Sequence, residues 1–150
     1  MIQQLRFLTV LLLLAGFMGC SNSDTSKKEG ADKDTPKLVK KRRDDGTLSS
    51  VNPVDEEGYV HGVKTNYYED GKTIHSRVSY SHGRKHGPAL WYYKNGQTHE
   101  HTGFHYGKKQ GLTKKYYKTG ELLEELTYEQ GDVVPGSKKK YSRSGERMPD

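Results

Sequence analysis

All seven histidines of this chain lie between His61 and His105, and three of them, His99, His101 and His105, have the same parity within one stretch. On an extended backbone, residues of equal parity turn to one face, and imidazoles on one face are a ligand set for zinc or copper. The supporting ligands are thin. The only cysteine is far away at position 20, and Glu100 has the opposite parity. The reading is therefore solvated histidines and no bound metal, with His99, His101 and His105 as the residues that would hold an ion if one bound. Ser76, Ser79 and Ser81 lie near His75 and His82, but without a nucleophile elbow or a spaced acid. The chain reads as a non-enzyme that needs no cofactor.

A second chemistry is electrostatic. The chain carries a formal net charge of +6 and a pI of about 9.2. Its cations cluster at Arg84-Lys85, Lys108-Lys109, Lys114-Lys115 and Lys138 to Lys140. If the loops that carry them line one edge, Arg84, Lys85, Lys108, Lys109, Lys114 and Lys115 form a basic strip for anionic headgroups, envelope-polymer phosphates or an acidic protein. The same lysines also suit a charged rim that keeps a sheet edge from pairing with another chain.

The elements that must position these groups are set by a repeat. Gly62, Tyr67 and Gly71 recur as Gly87, Tyr92 and Gly96, as Gly111, Tyr116 and Gly120, and as Gly136, Tyr141 and Gly145, every 24 or 25 residues. One short supersecondary unit has been copied along the chain. Within each copy a dipeptide ending in Gly follows the tyrosine, and Asp70-Gly71 and Asn95-Gly96 read as two-residue type I′ turns, so each copy is a β-hairpin. That count sets Tyr67 opposite Ile74, Tyr92 opposite His99, Tyr116 opposite Leu123 and Tyr141 opposite Met148.

In the first copy the alternation assigns Val63, Thr65, Tyr67, Ile74, Val78 and Tyr80 to the core face, and Lys64, Asn66, His75 and Arg77 to the other. The later copies are one residue shorter between Gly96 and Gly107 and between Gly120 and Gly131. Side-chain parity should flip there, through a bulge or a change of register. Arg42 to Gly46 and Gly58 keep part of the frame and read as a degenerate cap unit, since terminal repeats must close an open edge.

The N-terminus supplies the setting. Arg6 precedes an apolar run from Phe7 to Phe17 and then Met18-Gly19-Cys20-Ser21. About eleven residues is short of the roughly 20 needed to span a bilayer and suits the h-region of an export signal. The pattern resembles the lipobox of bacterial lipoproteins, in which Cys20 would become the acylated N-terminus after removal of residues 1–19. Ser21 to Pro36 holds no large apolar residue and reads, with Cys20 and Lys37, as a disordered tether over residues 20–37. An exported chain argues against a nucleic-acid partner. Only 31% of the chain is hydrophobic, much of it in the signal, so the folded part must have a thin core in which eleven tyrosines and one tryptophan supply burial.

With the frame in view, the chain resembles the MORN-variant repeat family. The resemblance is carried by Tyr67-Tyr68-Glu69-Asp70-Gly71, Trp91-Tyr92-Tyr93-Lys94-Asn95-Gly96 and Lys115-Tyr116-Tyr117-Lys118-Thr119-Gly120, and by the loops Gly83-Arg84-Lys85-His86-Gly87 and Gly107-Lys108-Lys109-Gln110-Gly111. It implies an all-β, elongated antiparallel meander of hairpins over residues 38–150: a cap unit at 38–61 and repeats at about 62–86, 87–110, 111–135 and 136–148. Many bacterial members are labelled antitoxins of the YwqK type, which makes an antitoxin-like protein one expectation. The export signal favours another, a lipoprotein of the cell envelope, in the outer membrane of a Gram-negative bacterium, that binds a protein partner. A binder of anionic lipid or envelope polymer is the third.

Overall fold

The structure is a computed structural model that describes residues 36–149; the signal at 1–19, the acylation site at Cys20 and the tether up to Thr35 lie outside them. Twelve strands form one antiparallel sheet: β1 Lys37–Arg42, β2 Leu48–Val54, β3 Gly62–Tyr67, β4 Ile74–Ser81, β5 Arg84–Tyr92 and β6 Thr98–His105, followed by β7 Lys108–Lys109, β8 Gly111–Tyr116, β9 Leu122–Glu129, β10 Asp132–Val133, β11 Lys139–Tyr141 and β12 Arg147–Met148. Strands pair in chain order, so the sheet is an open meander of hairpins; the short β7 and β10 pair with β6 and β9 at one margin. No helix occurs among the described residues.

The turns along the two margins differ, and the type I′ geometry expected at Asp70-Gly71 and Asn95-Gly96 is found elsewhere. Asp70 and Asn95 do not adopt positive φ. Gly96 N–H donates to Tyr93 O at 2.9 Å and Tyr93 N–H to Gln97 O at 2.8 Å, the pattern of a type I turn closed by a left-handed glycine. The same bonds recur at Gly58, in the first turn of the other margin, and along this margin at Gly46, Gly120 and Gly145. The type I′ turns lie at the opposite margin, at His82-Gly83, Tyr106-Gly107 and Gln130-Gly131, where both residues have positive φ: 44° and 76°, 45° and 92°, 53° and 101°. A type I′ turn matches the right-handed twist of its strands, and that match offsets the cost of a left-handed non-glycine residue at each site.

The hairpins of the first three full repeats each carry a bulge beside their first tyrosine. Asn66 pairs with Ser76 but Tyr67 with Ile74, leaving His75 unpaired. Trp91 pairs with Glu100 but Tyr92 with Thr98, leaving out His99. Lys115 pairs with Glu124 but Tyr116 with Leu122, leaving out Leu123. Tyr67 therefore meets Ile74 as expected, whereas His99 and Leu123 are the bulged residues and Tyr141 meets Arg147, not Met148. The extra residue of the first copy does not flip parity. It is absorbed in the turn, where Tyr68 N–H reaches Thr73 O at 2.9 Å instead of a residue one position nearer.

The bulge also redraws the core face. Lys64 pairs with Val78 and Thr65 with Arg77, so Val63 and Thr65 lie opposite to Val78, and Val63 is 51% exposed. The extra residue at His75 inverts the face of every later residue of β4 relative to Ile74. The core is a ridge of small and aliphatic residues: Val78 beside Ala89, Ala89 beside Thr102, the Thr102 hydroxyl bonded to that of Thr113, and Thr113 beside Leu126. Ala89, Thr102 and Thr113 are 0% exposed, whereas the tyrosines of the repeat frame are half-buried. Burial of small residues on a single layer gives little hydrophobic stabilisation per strand, so links between hairpins carry weight.

Candidate functional site

Two ladders join each hairpin to the next. At the first margin the second tyrosine of each pair donates its hydroxyl to the carbonyl of the first tyrosine one repeat on: Tyr68 to Tyr92 O at 2.6 Å, Tyr93 to Tyr116 O at 2.8 Å and Tyr117 to Tyr141 O at 3.0 Å. In the cap unit Arg43 takes that place, donating to Tyr67 O at 2.7 Å. At the other margin the glycine of each type I′ turn donates back one unit: Gly83 to Val60 O at 2.9 Å, Gly107 to Lys85 O at 2.8 Å and Gly131 to Lys109 O at 2.9 Å. The first tyrosine was legible as the repeat mark. The second, which does the joining, was visible only as a doublet.

These hairpins divide the six expected basic-strip residues between the faces. Residues paired across strands share a face. Lys85 pairs with Tyr80, Lys109 with Phe104 and Lys115 with Glu124, all on the face of the buried ridge. Each is engaged there. Lys85 Nζ stands 5.0 Å from the Phe104 ring centre, Lys109 Nζ lies 2.8 Å from Glu100 and 4.9 Å from the Tyr128 ring centre, and Lys115 Nζ lies 3.0 Å from Glu124. Arg84, Lys108 and Lys114 turn to the opposite face, in register with Ser81, His105 and His101. On that face Arg77, Leu90, His101, Lys114 and Glu125 form one continuous row across five strands. Arg77, Arg84 and Lys108 form no ion pair among the described residues.

Glu124 organises the ridge face. Burial pushes its carboxyl up, but hydrogen bonds from Lys115 and Lys138 outweigh that and hold it below the usual range; the Lys138 contact is 3.1 Å. Its hydrogen bond in turn raises the Lys115 ammonium. Glu125, on the other face, is lowered first by the Tyr141 hydroxyl and then by Lys139.

The expected histidine set does not converge. His99, bulged out of the ladder, packs on Tyr93 with ring centres 4.7 Å apart. His101 stands in the row with Leu90 and Lys114, and His105 meets His86 at 5.3 Å. A different group does converge: Asp55, His61 and His82, whose ligand atoms all lie within 4.8 Å of one another. It was not legible because Asp55 and His82 are 27 positions apart and meet only through hairpin stacking. Compared with protein-family models, characterised proteins and solved structures, the chain matches none.

Proposed function

We propose that this chain is a lipid-anchored protein of the bacterial cell envelope, held on the outer membrane through acylated Cys20, whose MORN-like repeat sheet is a scaffold surface for a protein partner. The observation that carries the reading is the order of parts along the chain: an apolar run ending at Gly19-Cys20, a polar stretch to Pro36, and then a single-layer sheet with a cationic face. Two or three acyl chains, at about 0.8 kcal/mol per buried methylene, give a stable anchor. A sheet thin in core and rich in paired surface charge is a surface suited to binding a partner.

Membrane fractionation of wild type and Cys20→Ala tests the anchor. Wild type should sediment with membranes and the variant should move to the soluble fraction; an identical soluble distribution for both overturns the reading in favour of a soluble, antitoxin-like protein. Cross-linking with mass spectrometry in intact cells then identifies what lies against the sheet. A second reading, an anionic lipid or envelope polymer, is favoured by Arg77, Arg84 and Lys108, which lack ion-pair partners among the described residues. It predicts that the interaction weakens steeply as salt rises.

A further inference from the structure

We propose that Asp55, His61 and His82 form a binding site for a divalent transition metal, with zinc the best-suited ion. Asp55 opens the turn between β2 and β3, and its Oδ1 accepts the Tyr59 N–H at 2.7 Å, which fixes the carboxylate. The other oxygen, Oδ2, is buried and accepts no hydrogen bond. It faces two imidazoles, with His82 Nδ1 at 2.9 Å and His61 Nδ1 at 4.0 Å. The short approach of His82 is thus a contact between two potential ligand atoms and not an aligned hydrogen bond. A buried carboxylate oxygen that accepts no hydrogen bond and has imidazole nitrogens as its near neighbours is unusual in a native fold, and a cation between the three atoms would engage it.

The backbone holds the donors in place. His82 sits at the first position of its type I′ turn with φ of 44°, and the Gly83 N–H bonded to Val60 O seats that turn against the segment that carries His61. The later copies show what the same position does without a carboxylate. There His86 packs on Tyr106 with ring centres 4.7 Å apart, and the Gln110 side chain accepts the Gln130 N–H at 2.9 Å. The first turn departs from its copies by bringing in Asp55 and by placing His at both stacked positions.

Two imidazoles and a carboxylate are borderline donors that suit zinc, with cobalt and copper(II) as competitors. Tetrahedral ligands about 2.0 to 2.1 Å from the ion stand roughly 3.4 Å apart. The present separations bracket that spacing, and rotation of the two exposed histidines closes the difference. Three protein ligands leave a fourth position to water. Because Asp55 belongs to the cap unit and His82 to the first full repeat, the ion would clamp one to the other.

The test is calorimetric titration of the purified full-length protein, in detergent and without a histidine tag, with zinc chloride after removal of metal by chelator. One ion per chain with a dissociation constant in the micromolar range is expected, as is a cobalt(II) visible spectrum of tetrahedral intensity. Asp55→Asn and His82→Asn should each weaken binding at least tenfold, while a triple change of His99, His101 and His105 to Gln leaves it unaltered. Asn keeps the positive φ at position 82, and circular dichroism in chelator checks that each variant is folded; if His82→Asn is not, His61→Gln takes its place. Absence of heat, undiminished binding by Asp55→Asn, or loss of binding in the triple variant would each overturn the assignment. The first outcome would leave the cluster a carboxylate–histidine contact without metal.

Discussion

Removing the hydroxyls of Tyr68, Tyr93 and Tyr117 should loosen the sheet in steps, one step for each joint between hairpins. Each Tyr→Phe change keeps the ring, and with it the packing on His75 and His99 at ring distances of 4.8 Å and 4.7 Å. Each deletes one part-buried neutral hydrogen bond, a loss of about 1 kcal/mol. The three bonds lie in successive repeats and share no partner, so their effects should add to about 3 kcal/mol. For a domain of roughly 110 residues that lowers the melting midpoint by about 12 °C. Urea denaturation followed by circular dichroism measures the loss, with the Tyr67, Tyr92 and Tyr116 to Phe triple as control. Those hydroxyls are outside the ladder, and their removal should cost under about 0.5 kcal/mol each. If the control triple falls as far as the ladder triple, or the ladder triple stays within 1 kcal/mol of wild type, the joining role assigned to the second tyrosine is wrong.

Gln130→Asn should raise stability by about 0.5 kcal/mol, because Asn tolerates the left-handed conformation better than Gln at φ of 53° and the main-chain bond to Gln110 is kept; a lowered denaturation midpoint would count against the turn assignment. Asp70 carries an acid signature. Its carboxyl is held down at about 2 from 3.8, first by the Thr73 hydroxyl and then by the N–H groups of Lys72 and Thr73. A folded pKa below the unfolded value gives stability that is whole above about pH 4 and drains away as pH falls through 2. Urea midpoints taken at pH 7, 4 and 2 should therefore fall more steeply for wild type than for Asp70→Asn below pH 4, and parallel curves would sink the claim.

The hairpins, their order and the all-β class were legible because a fixed glycine and tyrosine frame reports the turn period directly. Turn type was not. Asp70-Gly71 and Asn95-Gly96 have the composition of a type I′ turn, yet Tyr106-Gly107 and Gln130-Gly131, which lack it, adopt one; strand twist and the bond from glycine to the preceding hairpin override local preference there. The core face failed for a related reason. A bulge at His75 leaves no mark in composition, and one unpaired residue is enough to put Val63 in water and Val78 in the ridge. Of the chemistry, the cations were found but their division between faces depends on that same register. The Asp55, His61 and His82 group is a product of stacking between neighbours along the meander, and short-range spacing carries no trace of it.

Tyr68, Tyr93 and Tyr117 each reach forward to a tyrosine carbonyl, and in the last described hairpin Ser142 stands where a second tyrosine would be. One more 25-residue copy spliced between Gly111 and Gly136 would meet a waiting hydroxyl donor behind it and a waiting carbonyl acceptor ahead, so the length of this ruler is adjustable in whole notches.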